Sequence, residues 1–599
     1  MNEVKNIRIS QIINLLFFAA LVVFWGFFYS AHLVQKEQMQ LFLLSFGYLK
    51  EHLAYQGGFA VYLGEFFSQF FLFKWIAVVL TSFFIYQISY ATQKVLAQLF
   101  KANLFLLAYV PAIVYHFLLL DKYYQLSGII AVGLGIWTLS FYLMIKQPLR
   151  RYLGGLTLII GSYWLLGGAY ILLLLSIIII EVILQFRNTI KKPGIQKVIA
   201  VVSVYLFVGI LTPLLCRKFF LIDTMLRSYI SAAYYQFSFL LPTPLLMVFL
   251  SLPILILVYV FKQKLISVKA LKPVQVIFAF VLVIGFVWGS NKLADFNEET
   301  ELNYENLVNQ QKWEQIISLA EQKTPEGRKG KLALSLALAK TGQMANRLFA
   351  FSPSVNDFFI PFNIHGMAPL IANEPYFYLG LSNFSKMLCI ETIESTPDEK
   401  SPVRVVKRFA ENCIIDGQYA VAEKQLRYLK KTLFYSTWAK NAQNVIHNEV
   451  LFNEHPLWKK LRSQKVKDDF YFQFERNDLA LVSLLRSNPQ NKMAYEYLMC
   501  WYLLHKDFDE FLKYLPLTNT MEYAVLPQAF QEAIVYIKTL FPEVPEGLNE
   551  YKIDQEVNTN LNKYAEEFQQ GGFNNPEEMK KRFEETYWYY VHFTKLEDE

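Results

Sequence analysis

Residues 152–186 read YLGGLTLIIGSYWLLGGAYILLLLSIIIIEVILQF. This run is mostly apolar, and Gly161 and the Gly167-Gly168 pair divide it near its middle. A helix that crosses a membrane needs about 20 apolar residues. The run therefore has the length of two short spans, or of one span and a re-entrant segment. We expect two spans, at 152–166 and 168–186.

Similar apolar runs lie on both sides of this one. Together they predict an all-α, polytopic membrane bundle with about nine transmembrane helices. The predicted spans lie near residues 11–30, 69–90, 104–120, 126–145, 152–166, 168–186, 198–215, 240–261 and 274–293. The apolar part of the first span is too long for a cleaved signal peptide, so we expect a retained signal anchor.

The distribution of Lys and Arg supports nine spans and fixes their direction. With the N-terminus in the cytoplasm, the cytoplasmic segments hold fifteen basic residues and the outer segments hold seven. Positive residues concentrate on the cytoplasmic side of membrane proteins. Removing one span between 152 and 186 would reverse every later loop and spoil this bias. We therefore expect a multi-pass protein of the bacterial inner membrane, with its C-terminal half in the periplasm.

The composition changes abruptly after residue 293. The chain has 599 residues and only 18% are charged, whereas about a quarter is usual for soluble proteins. The shortage lies in the first half. We predict a transmembrane domain at 1–293, a short polar linker at 294–303 and an extracytoplasmic domain at 304–599. The sequence has no basic stripe of the kind that binds nucleic acid, and it has no phosphate-binding loop motif of the kind that binds ATP.

The second half has helical periodicity, and one stretch of it resembles a tetratricopeptide repeat. Residues 410–429 read AENCIIDGQYAVAEKQLRYL, in which Gly417 falls at a tight turn and Ala422 is small enough for two helices to approach. Weaker matches at 313–349 and 488–515 are not spaced at a fixed period. The resemblance implies an irregular array of helical hairpins, whose concave face suits a protein or peptide partner. A plain α-helical domain without a binding role is the alternative.

Four residues of the predicted outer loops are candidates for chemistry. Glu37 follows the first span, Asp121 lies in the second outer loop, and Arg217 and Arg227 lie between the seventh and eighth spans. Carboxylates can take a proton from a hydroxyl group or hold a metal ion, and Arg suits a phosphate. The alternatives are ordinary: a solvated loop Glu, a local Asp–Lys pair with Lys122, and Arg side chains that anchor lipid headgroups.

This arrangement of acidic and basic residues in the outer loops resembles the GT-C class of membrane glycosyltransferases. The resemblance implies an enzyme that transfers a sugar from a polyprenyl-phosphate carrier on the outer face of the membrane. It implies that Glu37 and Asp121 are catalytic, that Arg217 or Arg227 binds the lipid phosphate, and that a divalent metal is a possible cofactor. Glu37 stands alone rather than in a paired acidic motif. The whole chain also resembles an uncharacterised family of bacterial membrane proteins with a helical-repeat tail.

Two functional hypotheses therefore stay open. The first is the glycosyltransferase, with membrane lipids and a polyprenyl-phosphate sugar as its partners. The second is a membrane-anchored scaffold whose helical repeats bind proteins of the cell envelope. A secondary transporter is disfavoured because few ionisable residues lie within the predicted spans; Glu181 is near a cytoplasmic end. The four cysteines show no metal-binding spacing, although a Cys389–Cys413 disulfide is one alternative to buried thiols.

Overall fold

The computed structural model describes residues 2–100, 105–188, 195–220, 224–230, 234–235, 243–265, 271–360, 369–396, 400–467, 476–540, 547–571 and 574–595. Within these ranges the chain forms helices and turns and no β-strand. This confirms the predicted all-α class. A single β-bridge joins Tyr124 to Tyr235 in the described residues.

Helices of the first half follow the apolar runs of the sequence, with short polar helices between them. They are α1 (Asn2–Val23), α2 (Ala31–Gln38), α3 (Phe46–Leu53), α4 (Gly58–Ser68), α5 (Lys74–Leu99), α6 (Tyr109–Leu119), α7 (Leu126–Met144), α8 (Pro148–Leu166), α9 (Tyr170–Asn188), α10 (Ile195–Phe219), α11 (Met225–Tyr229), α12 (Thr243–Leu265) and α13 (Leu271–Leu293).

Six segments of the described chain are long and apolar enough to cross a membrane, fewer than the nine predicted. They are Ile9–Phe28, Lys74–Leu99, Leu126–Met144, Pro148–Phe186, Gln196–Phe219 and Gln275–Leu293. The difference has two sources. The segment Pro148–Phe186 counts once, and the apolar segments Phe105–Leu119 and Leu245–Val258 are shorter.

The long apolar segment contains two helices rather than one. Helix α8 ends at Leu166, a short 3₁₀ turn spans Gly167–Ala169, and α9 begins at Tyr170. Gly167 has a φ of +66°, a backbone conformation that glycine adopts without steric cost. The predicted division at Gly167-Gly168 is therefore present in the backbone.

The second half begins with a helix where the sequence predicted a linker. Helix α14 (Phe296–Asn309) covers most of 294–303. Its first turn carries Glu298 and Glu299, and carboxylates there favour a helix. The remaining helices are α15 (Trp313–Gln322), α16 (Arg328–Lys340), α17 (Met344–Arg347), α18 (Glu374–Leu379), α19 (Ser382–Ser395), α20 (Val403–Ile415), α21 (Tyr419–Leu429), α22 (Ser436–Ile446), α23 (Glu449–Glu454), α24 (Pro456–Gln464), α25 (Asn477–Ser487), α26 (Lys492–Leu504), α27 (Phe508–Tyr514), α28 (Gln528–Leu540), α29 (Gln555–Gln569), α30 (Pro576–Phe583) and α31 (Tyr587–Phe593).

Two compact units make up the chain, and their division is not a single cut in the sequence. Unit 1 comprises Met1–Glu299 with two later segments, Thr396–Val403 and Lys431–Ser436. Unit 2 comprises Thr300–Ser395, Arg404–Lys430 and Thr437–Glu599. The two later segments bring Lys400 and Tyr435 into unit 1.

In unit 1, α4 packs against the start of α7 with almost no space between the backbones. A Cβ atom added to Gly64 would lie 2.5 Å from the Ser127 backbone nitrogen and 2.7 Å from its Cα. Only glycine permits this approach. The contact fixes α4, which carries Glu65, against the start of α7.

In unit 2, helices α20 and α21 form the hairpin that the sequence predicted. Gly417 lies between them with a φ of +78°. Ala422, Leu426 and Leu429 are fully buried in α21. The tight turn and the small buried alanine are thus confirmed, whereas identity with the tetratricopeptide repeat stays a resemblance.

A network of buried charges also holds unit 2 together. The Glu374 carboxylate accepts hydrogen bonds from Arg404 at 3.1 Å and from Arg408 at 2.7 Å, and Arg408 also bonds Glu411 at 2.7 Å. All four side chains are buried or nearly so. Removing one partner of such a network leaves an uncompensated buried charge.

We predict that Gly64→Ala lowers the stability of the protein by about 1–3 kcal/mol, because the added methyl group forces the α4 and α7 backbones apart. The measurement is the midpoint of thermal unfolding of the purified protein in detergent. Gly133→Ala is the matched control, since a Cβ at Gly133 meets nothing within 4 Å. Equal midpoints for the two variants would contradict the close contact.

We predict that Glu374→Ala lowers the free energy of unfolding by about 3–5 kcal/mol, because Arg404 and Arg408 lose their shared partner. Cys389 and Cys413 are free and buried in unit 2. A less stable unit 2 exposes them more often, so a thiol reagent should label them faster in Glu374→Ala than in wild type. Glu321→Ala is the control, since the Glu321–Arg347 pair is exposed and exposed pairs contribute about 1 kcal/mol or less. Labelling that stays slow in Glu374→Ala would refute the role of the network.

Candidate functional site

The segment after the first apolar helix is the buried helix α2, not a solvated loop. The backbone N–H groups of Ala31 and His32 donate to the Glu299 carboxylate at 2.6 and 3.1 Å. The His32 ring contacts the same carboxylate through Nδ1 at 2.7 Å. A carboxylate at a helix N-terminus satisfies free N–H groups and complements the helix dipole. Glu299 therefore fixes the start of α2.

Lys36 joins α2 to the turn between α6 and α7, which the sequence predicts to be the second outer loop. Its ammonium group donates to the backbone carbonyls of Asp121 at 3.1 Å, Lys122 at 3.4 Å and Tyr124 at 2.5 Å. Burial lowers the pKa of Lys36 to about 8, and the nearby Asp121 carboxylate offsets only part of this effect. The two loops predicted to carry the catalytic carboxylates are thus in direct contact.

Glu37 is completely buried, with 0% of its surface exposed. The Tyr435 hydroxyl donates a hydrogen bond to Oε1 of Glu37 at 3.1 Å, and Oε2 has no hydrogen-bond partner among the described residues. Burial raises the pKa of Glu37 to about 8, against the opposing effect of the Tyr435 hydrogen bond. A carboxyl group with this pKa can both accept and release a proton near neutral pH.

The other three predicted site residues lie in different surroundings. Asp121 is half-buried, accepts from the Tyr123 backbone N–H at 2.9 Å and bonds to the Tyr235 hydroxyl. Arg217 is exposed and contacts the sulfur of Met225 at 3.4 Å. The backbone carbonyl of Arg227 accepts a hydrogen bond from the Gln56 side chain at 2.8 Å, and this bond links the segment of Arg227 to the first loop. Asp223, which shares the predicted outer segment, lies outside the described residues.

Glu65 is the centre of a second buried polar cluster, at the end of α4. Its Oε2 accepts from the Tyr48 hydroxyl at 2.5 Å and lies 3.0 Å from Nε2 of His52. Its Oε1 lies 3.2 Å from the Lys400 ammonium. Burial alone would raise the pKa of Glu65, but Lys400, His52 and Tyr48 outweigh it and hold the pKa below its usual value. Glu65 is therefore a charged partner of Lys400 rather than a proton donor.

A small cleft of about 40 Å³ opens between these clusters. Its charged lining consists of Lys36, Glu65, Lys122 and Lys400. None of the four predicted site residues lines it. The structure thus brings the loops of Glu37 and Asp121 together, but it does not gather the four predicted side chains around this cleft.

Sequence reasoning missed the groups that complete these clusters. Tyr435 lies 398 residues from Glu37 in the sequence, and no local pattern links Lys400 to Glu65. In the sequence alone, Lys36 is one basic residue of a polar segment, and Glu65 is one of several acidic residues near it. One signal was available: Glu65 follows Gly64, and a glycine beside a carboxylate in an apolar helix indicates a close backbone contact.

A buried ion pair in the apolar helices was also missed. Arg151, near the start of α8, donates to the Glu181 carboxylate of α9 at 2.5 and 3.0 Å. Tyr142 of α7 donates to the same carboxylate at 2.5 Å. Charged residues among membrane helices pair with one another in this way. Arg151 is therefore a structural link between three helices, not only a loop charge.

Within the described residues, no group of three or more His, Cys, Asp or Glu side chains is arranged to hold a metal ion. The divalent metal that the GT-C resemblance implies therefore has no evident set of ligands in this part of the chain. All four cysteines are free, so Cys389 and Cys413 are buried thiols and not a disulfide.

Comparison with protein families gives one match. Residues 5–594 match a family of unknown function, DUF6057. The chain belongs to this family. The match covers nearly the whole chain, including most of both units. No curated protein and no solved structure matches the chain.

We predict that Glu37 makes the stability of the protein pH-dependent. Its pKa is 4.5 in an unfolded chain and about 8 in the folded one. The proton it binds therefore stabilises the fold fully below about pH 4.5, and this contribution is lost as the pH rises to about 8. The loss amounts to a few kcal/mol, at about 1.4 kcal/mol for each unit of pKa difference.

The measurement is the unfolding midpoint of wild type and of Glu37→Gln between pH 5 and pH 9. The Gln side chain does not titrate, so the curve of Glu37→Gln should be flatter. Glu51→Gln, on the exposed surface of α3, should keep the wild-type curve. A wild-type curve as flat as that of Glu37→Gln would show that Glu37 is ionised throughout.

Proposed function

We propose that this protein is a membrane glycosyltransferase that resembles the GT-C class and uses a polyprenyl-phosphate-linked sugar. The observation that carries the proposal is the state of Glu37. It is a buried carboxyl group in the segment after the first apolar helix. One oxygen is held by Tyr435, and the other has no partner in the part of the chain that the structure describes. Perturbed pKa values of this kind cluster at functional sites.

The reaction assigned to Glu37 is general-base catalysis. Oε2 takes the proton of an acceptor hydroxyl as the hydroxyl oxygen bonds to the anomeric carbon of the sugar. The bond between that carbon and the carrier phosphate breaks, and the phosphate leaves with the electron pair. Tyr435 holds the carboxyl group in place through Oε1. No step is assigned to a metal ion.

The remaining predicted residues keep supporting roles in this proposal. Asp121 is the second catalytic carboxylate, and its loop is tied to α2 by Lys36. Arg217 and Arg227 remain predicted to bind the carrier phosphate. Because neither lines the cleft, their role depends on a substrate that reaches the membrane surface beside α10 and α11.

The proposal includes the topology predicted from charge. The N-terminus is cytoplasmic, nine helices cross the bacterial inner membrane, and the C-terminal domain is periplasmic. The division of the long apolar segment at Gly167 favours separate spans for α8 and α9. The helical hairpins, such as α20 and α21, then present a protein or peptide acceptor in the manner of tetratricopeptide repeats.

A second candidate, the scaffold, is favoured by one observation. Glu37 is fully buried and does not line the cleft. A carboxyl group with a purely structural role needs no access to a cleft. In that case the exposed apolar side chains of α21, Val421 and Tyr428, belong to a surface that binds envelope proteins.

We predict that Glu37→Gln lowers sugar transfer at least about 100-fold, since a general base contributes roughly 10²–10⁴. The experiment uses cells that lack the chromosomal copy and carry each variant, with cell-surface glycans measured by mass spectrometry and protein amount by immunoblot. Asp121→Asn should also reduce transfer. Glu51→Gln, the exposed control in α3, should transfer normally.

The outcome that overturns the enzyme is a normal glycan profile in both Glu37→Gln and Asp121→Asn. If joint replacement of Val421 and Tyr428 by Asp then abolishes the cellular phenotype, the scaffold is correct. Deletion of 304–599 is not a clean alternative, because it also removes Lys400 and Tyr435 from unit 1.

A further inference from the structure

Three ammonium groups converge on the cleft of unit 1, although they come from distant parts of the sequence. Lys36 belongs to α2, Lys122 to the second outer loop, and Lys400 to a segment of the second half of the chain. Among the described residues that line the cleft, only Glu65 carries a carboxylate. We propose that this cleft binds an oxyanion of the phosphate class.

The Glu65 charge does not cancel the attraction of the cleft for an anion. Its two oxygens are already occupied by the Tyr48 hydroxyl, the His52 ring and the Lys400 ammonium. An ammonium group has three N–H donors. Within the described residues Lys400 gives one to Glu65 and one to Gln125, at 3.0 Å. One donor of Lys400 therefore remains for an anion.

Lys122 supplies the more accessible cation. Its ammonium lies 2.8 Å from Glu298, and its side chain is 32% exposed, so the cleft reaches the surface there. The Glu298 side chain is 19% exposed, so the pair is half-buried and water reaches it and screens it in part. A phosphate can therefore compete with Glu298, or bind the N–H groups of Lys122 that Glu298 does not use.

Lys36 acts on an anion through its charge rather than through hydrogen bonds. Its three N–H groups are already given to the carbonyls of Asp121, Lys122 and Tyr124. A buried positive charge nonetheless attracts an anion strongly, because the surroundings screen it less than water does.

The dimensions of the cleft fit the head of a phosphate rather than a large ligand. A volume of about 40 Å³ equals that of roughly three water sites. Two or three phosphate oxygens can enter, and the rest of the molecule stays outside. The source is either free phosphate or a phosphate headgroup of a lipid. The second source deepens the proposed function and rests on it, whereas the first does not.

The test measures binding of inorganic phosphate to the purified full-length protein in detergent by titration calorimetry. A second arm measures the association of the protein with nanodiscs of phosphatidylcholine, with and without phosphatidic acid. Lys122→Ala should weaken binding about tenfold or more, the effect of losing one hydrogen bond to a charged group. Lys122→Arg should retain most of the affinity.

Two controls separate binding at the cleft from general attraction. Lys50→Ala removes an exposed lysine of α3 outside the cleft and should leave the affinity unchanged. Glu298→Gln removes the competing carboxylate and should leave the affinity unchanged or increase it. A weaker affinity in Glu298→Gln would mean that the Lys122–Glu298 pair merely supports the fold, and it would overturn the proposal.

Binding of free phosphate in detergent supports a free anion, and binding seen only with phosphatidic acid supports a lipid headgroup. No binding in either arm, or equal losses in Lys122→Ala and Lys50→Ala, overturns the inference. Glu37→Gln should bind phosphate normally. Failure of the glycosyltransferase proposal and failure of the anion site are therefore distinguishable.

Discussion

The contact between Lys36 and the turn that joins α6 to α7 organises the polar part of unit 1. Burying an ammonium group costs solvation energy, and three carbonyls of residues 121, 122 and 124 compensate for it. The turn between α6 and α7 offers these carbonyls because it leaves the regular helical hydrogen bonding. With Lys36 fixed on the turn, the neighbouring Glu37 side chain faces Tyr435 instead, and the cleft forms on the side of Lys36.

The architecture was readable from the sequence wherever the signal is local. Apolar runs gave the positions of α1, α5, α7, α10 and α13, and the hairpin at Gly417 followed from a glycine between two amphipathic segments. The surroundings of Glu37 were not readable, because Tyr435 lies 398 residues away. Without that partner, a Glu between Lys36 and Gln38 resembles any solvated residue. The cleft was not predictable from the sequence either, because one of its lining residues, Lys400, lies far from the others in the chain.

The Arg151–Glu181 pair shows a limit of reasoning from charge alone. Arg151 contributes to the charge bias that orients the predicted spans, but its side chain is buried between helices. Its two hydrogen bonds to Glu181, and the one from Tyr142, neutralise both charges and link α7, α8 and α9. Packing among membrane helices gains little from the hydrophobic effect, so polar links of this kind help to specify which helices are neighbours.

The late segments of unit 1 have a consequence for biosynthesis. Ribosomes add about 5–20 residues per second, so Tyr435 emerges roughly 20–80 s after Glu37, which precedes it by 398 residues. Glu65 waits almost as long for Lys400. During this interval Glu37 lacks Tyr435, and Glu65 has Tyr48 and His52 but lacks Lys400. The nascent protein therefore passes through a long-lived incomplete stage, in which chaperones and proteases have time to act before the polar clusters are complete.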